Sequence, residues 1–161
     1  MGSKGTETRF KNFALNRQAN HLYHLLEKFE AGIELRGTEV KSIREGKVNL
    51  KDSYAVVKGS EVLLLNCHIS TYSSGGYLNH DPLRSRRLLL HRQEIHKLIS
   101  RTQEKGLTLI PLRLYLKANR IKCEIALAKG KKVYDRRETE RQRTVKRETE
   151  QAIRDFQRRG R

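Results

Sequence analysis

Two short segments carry side chains that could recognise an unpaired nucleic-acid base. Amide and guanidinium groups donate hydrogen bonds to base edges and phosphates, and an aromatic ring stacks on a base at about 1–3 kcal/mol. The alternative is that Tyr23 and Tyr54 simply pack the rim of the fold, and the residues alone favour neither interpretation. The candidate RNA-binding residues of these two segments are Asn16, Arg17, His21, Tyr23 and Tyr54.

Catalytic and metal-binding motifs are incomplete or absent in the sequence. The GKK segment at 130–132 is not a phosphate-binding loop, because Ile125 occupies the upstream glycine position and no Ser or Thr follows the lysine. Neither G-x-S-x-G nor H-E-x-x-H occurs. His21 and His24 could ligate a metal, but no Cys or acidic residue accompanies them at metal-site spacing. We therefore expect no enzyme, no metal and no cofactor.

The charge balance predicts a polyanionic partner. The 161 residues include 35 Lys and Arg against 18 Asp and Glu, which gives a formal net charge of +17. From Lys129 onward, 13 basic residues stand against 6 acidic ones, so the tail and the rest of the chain are both basic. The RSRR run at 84–87 can be a solvated strand edge, but the net charge favours contact with phosphates.

The spacing of apolar residues predicts a mainly β fold. Alternating segments occur in pairs around the turns at 58–60 and 118–120. Several short strands with two or three short helices indicate a small β-barrel, compatible with an oligonucleotide-binding (OB) barrel. In the helix predicted at 38–46 and just after it, Lys41, Arg44 and Lys47 remain available to solvent or phosphate. The predicted strands are 29–35, 54–57, 61–69, 107–117 and 121–128, and the predicted helices are 16–28, 38–46 and 92–105.

Composition divides the chain into three parts. Residues 1–13 are rich in Gly, Ser, Thr and Lys, which predicts a flexible N-terminal segment. Residues 14–130 form the predicted RNA-binding barrel domain, and residues 131–161 form a basic tail. The few apolar residues of the tail cannot bury enough area to fold alone. We expect the tail to be disordered when free and helical when bound.

Three features bear on the location of the protein. No apolar run approaches the roughly 20 residues of a membrane-spanning helix, and the first twenty residues carry no secretory apolar block. Cys67 and Cys123 stand singly within apolar alternations, which fits buried thiols in a reducing compartment. We expect a cytoplasmic monomer that binds no membrane.

Several motifs, in order from about residue 16 to residue 137, resemble one known family. They are FEAGI at 29–33, GTEVKSIREGK at 37–47, DSY at 52–54, NHDPLRSRRLLL at 79–90 and ALAKGKK at 126–132. Together they resemble small protein B (SmpB), the bacterial SsrA-binding protein family. The resemblance implies an OB-type barrel that binds the tRNA-like domain of transfer-messenger RNA (tmRNA) and carries it into stalled ribosomes, the process called trans-translation.

The resemblance also implies an RNA-binding face. His91 departs from the family pattern, because some relatives carry Asn at this position, so base recognition there depends on the tautomer of the ring. Glu30 can accept hydrogen bonds from base edges or support neighbouring basic groups. The positions that match the family's RNA-binding face are Asn16, His21, Tyr23, Glu30, Tyr54, Leu89, His91 and Lys122.

For the tail, the resemblance implies entry into the decoding centre and the empty mRNA channel of the small ribosomal subunit. Tyr134 stands where other members carry His, which keeps a stacking ring but loses a titratable group. The matching tail positions are Gly130, Lys131, Lys132, Asp135, Arg136 and Arg137, and Tyr134 lies among them.

The leading hypothesis is thus a non-catalytic RNA-binding adaptor for ribosome rescue. The alternative is a ribosomal or assembly protein that holds rRNA permanently, for which the same charge would serve. An RNA-processing enzyme is disfavoured by the missing catalytic motifs.

Overall fold

A computed structural model describes residues 11–159. Its elements alternate strands with short helices and finish with one long helix. They are β1 (Lys11–Leu15), α1 (Ala19–Leu22), β2 (Tyr23–Ile33), α2 (Gly37–Arg44), β3 (Val48–Asn49), β4 (Tyr54–Lys58), β5 (Glu61–Leu65), β6 (His68–Ile69), a 3-10 turn (Gly76–Leu78), β7 (Arg86–Leu89), α3 (Arg92–Thr102), β8 (Leu107–Lys117), β9 (Arg120–Gly130) and α4 (Val133–Arg159).

Six antiparallel strands close into a barrel in the order β8, β9, β2, β7, β5 and β4. Strand β4 returns to β8 where Ala55 pairs with Leu109, and β1 adds to the side of β8. The strands β3 and β6 form a separate two-stranded sheet. The mainly β, OB-type barrel predicted from the sequence is confirmed.

The barrel interior is filled by alternate side chains of its strands. Leu64, Leu109 and Ile125 are wholly buried, and Ile43 from α2 and Leu98 from α3 pack into the same cluster. Burying each such side chain contributes about 1.5–3 kcal/mol to stability. This core fixes the positions of the strands that carry the candidate RNA-binding residues.

Both cysteines lie in this core as free thiols. Burial raises the pKa of Cys67 to about 11, against a weaker opposing effect of the Arg86 charge. Burial also raises the pKa of Cys123. The two residues therefore act as small apolar side chains, as the sequence predicts.

The prediction of a helix over residues 16–28 is wrong for most of that segment. Only Ala19–Leu22 is helical, and β2 begins at Tyr23, which pairs with Gly130 of β9. A β-bulge between Leu25 and Glu27 shifts the register of this pairing. Because a bulge interrupts the two-residue alternation, the apolar spacing imitates that of a helix.

The N-terminal segment is only partly described. Residues 1–10 of the predicted flexible segment lie outside the described residues. Lys11, Asn12 and Phe13 belong to β1, where Lys11 pairs with Leu116. The strand β1 therefore begins within the segment that composition predicts to be flexible.

The tail forms a helix, α4, that begins three residues after β9 ends at Gly130. Within Val133–Arg159 no side chain is buried. Dependence of this helix on a bound partner stays a prediction. Among the described residues, no helix has the length and apolar character needed to span a membrane.

Candidate nucleic-acid interface

Three predicted residues, Asn16, Tyr23 and Tyr54, line a cleft of about 260 Å³. Asn16 is fixed to β8, because its backbone N–H donates to Leu112 at 2.7 Å and its Nδ2 donates to Pro111 at 3.0 Å. Tyr54 is 41% exposed, whereas Tyr23 packs against a small apolar cluster. Of the two tyrosines, Tyr54 thus presents more of its ring to a base, and Tyr23 also supports the rim.

Arg17 and His21 belong to a second cleft, which lies between α1 and α4 and has a volume of about 450 Å³. Arg143 of α4 also lines it. His21 Nε2 lies 3.4 Å from a carboxylate oxygen of Glu140. The barrel and the tail together therefore surround this basic cleft.

A third cleft, called here the Leu89 groove, has a volume of about 290 Å³. Leu89 of β7 and Lys122 of β9 are both register partners of Gly32 on the intervening strand β2. A Cβ atom at Gly32 would lie 3.2 Å from Leu89 Cβ, so the missing side chain lets Leu89 lie close over β2. The groove is lined by Gly32, Ile33, Leu35, Val40, Arg44, Leu89, Asn119, Arg120, Ile121 and Lys122.

The sequence did not assign three residues of this groove to the RNA-binding face. Arg44 was recognised only as a cation available to solvent or phosphate. Asn119 and Arg120 stand at a turn where Ala118 and Asn119 have φ angles of 50° and 59°. An Asn in a short turn is the one signal that could have indicated this left-handed backbone.

His91 lies two residues beyond Leu89 and is exposed. It forms the N-cap of α3, where its backbone N–H donates to Glu94 at 3.1 Å. The capping interaction fixes the backbone of His91 and leaves its ring on the surface.

Glu30 is held by two side chains of β8. The Tyr115 hydroxyl donates to Glu30 Oε2, and Lys117 Nζ donates to Glu30 Oε1 at 3.0 Å. These two hydrogen bonds lower the pKa of Glu30, and the bond from Tyr115 has the larger effect. Burial and the bond to Glu30 raise the pKa of Tyr115. The Glu30 carboxylate is therefore charged at neutral pH and oriented on the outer face of the barrel.

The predicted tail residues begin with an anchor on α1. Lys131 donates through its backbone to Leu22 at 2.9 Å and through Nζ to Asn20 at 2.8 Å. Asp135 lies 3.7 Å from His24 Nε2. Gly130 ends β9, Arg136 is half-buried, and Lys132, Tyr134 and Arg137 are exposed.

The arginine run at 84–87 forms ion pairs within the protein, and the predicted phosphate contact is wrong for the buried Arg86. Arg86 is fully buried and donates to Glu39 at 2.8 Å. Arg84 donates to the same carboxylate at 2.6 Å, and Arg87 pairs with Glu34 on the surface at 2.9 Å. The sequence could not reveal this role, because Glu39 lies more than forty residues away along the chain.

The predicted residues do not share one cleft. Glu30 lies seven positions after Tyr23 along β2, which is roughly 23 Å of extended strand. Their distribution suits a large, shaped ligand in contact with several parts of the barrel better than a small molecule. Over residues 11–159, no group of three His, Cys, Asp or Glu side chains is arranged to hold a metal ion.

A closed, basic β-barrel with an exposed tyrosine beside a fixed side-chain amide, extended by a cationic helix, defines a small nucleic-acid-binding barrel protein. The family model described as SmpB protein matches residues 13–155. The chain belongs to the SmpB family.

Curated relatives agree with this assignment. An SsrA-binding protein of Trichodesmium erythraeum is 57% identical over 142 residues, which cover 88% of this chain and 91% of that protein. The SsrA-binding protein of Carboxydothermus hydrogenoformans is 56% identical over 144 residues, covering 89% and 97%.

A solved structure is also similar. One chain of a structure described as "tmRNA-SmpB: a journey to the center of the bacterial ribosome" is 46% identical to this chain, with a TM-score of 0.63. The match covers 74% of this chain and 85% of that chain.

Proposed function

We propose that this protein is a cytoplasmic RNA-binding adaptor that binds the tRNA-like domain of tmRNA (SsrA) and delivers it to stalled ribosomes. The observation that carries the proposal is the family match over residues 13–155, which includes both the barrel and most of α4. The parts proposed to bind RNA and to enter the ribosome therefore both have counterparts in the SmpB family.

The barrel supplies the RNA-recognition surface of the proposed adaptor. Tyr54 offers a ring for stacking, and the charged Glu30 carboxylate offers an acceptor for base amino groups. Leu89 and Lys122 add an apolar and a cationic contact nearby on the same outer surface. Such recognition depends on the shape and the bases of the RNA, which separates it from the attraction of a generic polycation.

The tail is suited to a channel lined with RNA. Helix α4 has 27 residues and is about 40 Å long. It has no buried side chain, and Tyr134, at its start, is 76% exposed. We propose that this helix occupies the decoding centre and the mRNA channel, where phosphates and bases contact side chains that are not buried in the free protein.

The proposed adaptor acts as a monomer and catalyses no reaction. Binding energy on the barrel selects the RNA, and the tail occupies the ribosomal space that a codon and anticodon would fill. All bond-making chemistry is then left to the ribosome and the RNA.

A reconstituted translation reaction on ribosomes stalled at the end of a truncated mRNA tests the proposal. With tmRNA present, the full chain is expected to support addition of the tmRNA-encoded tag. A chain ending at residue 130 is expected to bind the tRNA-like domain and to fail in tagging. Absence of tagging by the full chain, with stoichiometric co-sedimentation on non-stalled ribosomes, would instead support a protein that holds rRNA.

A further inference from the structure

We infer that the start of the tail forms a latch, which folds α4 back onto α1 and excludes RNA from His21. The inference rests on the proposed RNA-binding function and adds a conformational step to it. RNA that takes His21 releases the tail, and the docked tail in turn weakens RNA binding by the same factor. The tail residues of this latch are Lys131, Asp135, Thr139 and Glu140.

The latch is anchored on the carboxyl end of α1. The last carbonyls of a helix have no partner within that helix, and Lys131 donates to two of them. Its backbone N–H donates to the Leu22 carbonyl at 2.9 Å, and its Nζ donates to the Asn20 carbonyl at 2.8 Å. The same Nζ donates to the Thr139 hydroxyl at 3.1 Å. One lysine therefore ties the second turn of α4 to the segment that carries His21.

Glu140 brings a carboxylate to the ring of His21. Its Oε1 lies 3.4 Å from His21 Nε2, and the His21 side chain is 25% exposed. The carboxylate of Asp135 lies 3.7 Å from Nε2 of His24, on the other side of the α1–β2 junction. A carboxylate at the His21 ring repels a phosphodiester and occupies the space beside Nε2 that a base or phosphate would need. Glu140 and RNA therefore compete for this ring.

The charges around the α1–α4 cleft make the docked state easy to open. Arg17, Arg143 and Arg147 line this cleft together with Glu140. In residues 11–159, the ion pairs involve none of these three arginines. Their mutual repulsion opposes docking, and solvent-exposed contacts such as that of Glu140 hold weakly. A polyanion that binds Arg17 and His21 can therefore displace the tail.

Docking of the tail is measured by the distance between two nitroxide labels on the full chain, attached at Gln103→Cys and Gln142→Cys. Both positions are exposed and uncharged, and Gln142 is on the opposite face of α4 from Glu140. The native cysteines are buried, so the labels react with the introduced thiols. The free chain is expected to give one narrow distance, and a saturating amount of the tRNA-like domain is expected to remove it. A broad distribution in the free chain, or the same narrow distance in the complex, would overturn the inference.

Competition between the tail and RNA is tested by Glu140→Gln against the control Glu148→Gln. Each variant removes one exposed negative charge from α4, and Glu148 lies outside the cleft, so general attraction to RNA rises equally in both. At fixed salt, Glu140→Gln is expected to bind the tRNA-like domain about two- to fivefold more tightly than the control, the range that an exposed ion pair supplies. Its label distance in the free chain is expected to broaden, while that of the control stays narrow.

Thermal unfolding of both variants confirms that they are folded. Equal affinities of the two variants, with wild-type preference for the tRNA-like domain over bulk tRNA intact, would overturn the inference alone. Absence of that preference in the wild-type chain would overturn the proposed function, and with it the role of RNA in releasing the tail. The narrow distance in the free chain would then still establish the docked tail, because that measurement contains no RNA.

Discussion

Arg86 donates its Nε–H to Glu39 at 2.8 Å, and both side chains are wholly buried. Arg84 donates to the same carboxylate, and Arg86 also donates to the carbonyl of Cys67 at 2.7 Å. The cluster joins α2 to β7, the two elements that flank the Leu89 groove. A basic motif that suggests RNA binding in the sequence thus fixes the shape of the surface to which we assign that role.

Loss of the Glu39 charge is expected to destabilise the protein strongly. Glu39→Gln leaves two guanidinium groups without a counter-ion, at a cost of about 3–5 kcal/mol in the free energy of unfolding. Glu34→Gln breaks the exposed pair with Arg87 and is expected to cost at most about 1 kcal/mol. Denaturant titration measures the free energy of unfolding of both variants. Similarly small losses of stability in the two variants would contradict the structural role assigned to Glu39.

The stabilisation by Glu39 is also expected to depend on pH. Burial acts to raise the pKa of Glu39, but hydrogen bonds from Arg84 and from the backbone of Arg36, with the Arg86 charge, lower it below 4.5. The pKa of Glu39 is lower in the folded state than in the unfolded state. At pH values between these two pKa values, the unfolded state binds more protons, so the free energy of unfolding rises with pH in this range.

The free-energy difference between the wild-type chain and Glu39→Gln should therefore be complete above about pH 4.5 and shrink as pH falls through the folded pKa. Denaturant titrations of the two chains at a series of acidic pH values measure this difference. If this difference in the free energy of unfolding stays constant from neutral pH to well below pH 4.5, the negative charge of Glu39 does not contribute to stability.

The variant Glu30→Ala distinguishes recognition of RNA bases from general electrostatic attraction to RNA. Loss of an acidic residue makes the protein more positive, so a polycation would bind RNA more tightly after Glu30→Ala. We expect the opposite, a loss of about 1–2 kcal/mol in binding to the tRNA-like domain, since the carboxylate acceptor for base amino groups is removed.

Glu27→Ala is the matched control for Glu30→Ala. Glu27 is on the same strand and pairs with Lys97 at 2.6 Å. Its replacement is expected to leave affinity unchanged or to raise it slightly. Affinities that rise equally in both variants would remove Glu30 from the interface.

The helical form of the tail is tested by Val145→Pro. Val145 is an exposed residue within α4, where proline disrupts the helix by about 3 kcal/mol, while Val145→Ala preserves it. We expect Val145→Pro to lose tagging on stalled ribosomes and to keep its affinity for the tRNA-like domain. Tagging by Val145→Pro at the level of Val145→Ala would show that the helix is not required.

Much of the barrel could be predicted because its hairpins are local. The segments around 58–60 and 118–120 alternate clearly, and the turns between them contain residues that favour reversal. The start of β2 could not be predicted, since a bulge after Leu25 hides the alternation and only pairing with β9 selects a strand. Tertiary contacts there override local spacing.

Prediction of the candidate site residues depended more on the family resemblance than on the local sequence pattern. The segment 16–23 and Tyr54 were recognised from residue type, whereas Glu30, Leu89 and Lys122 came from family motifs. Neither route could reveal that Tyr115 binds Glu30, because the two residues are 85 positions apart and meet only where β9 pairs with both β2 and β8. Residue type also misassigned Arg86, whose buried partner Glu39 is remote in sequence.

The most direct test of the account is a competition titration at fixed physiological salt. The full chain is titrated against the tRNA-like domain of tmRNA in the presence of excess bulk tRNA. We expect binding to persist, to weaken by about 1–3 kcal/mol in Tyr54→Ala, and to be unaffected in Tyr77→Ala, whose exposed ring lies in the 3-10 turn Gly76–Leu78. If bulk tRNA abolishes binding, and the two tyrosine variants behave alike, the protein is a generic polycation for RNA and the account is contradicted.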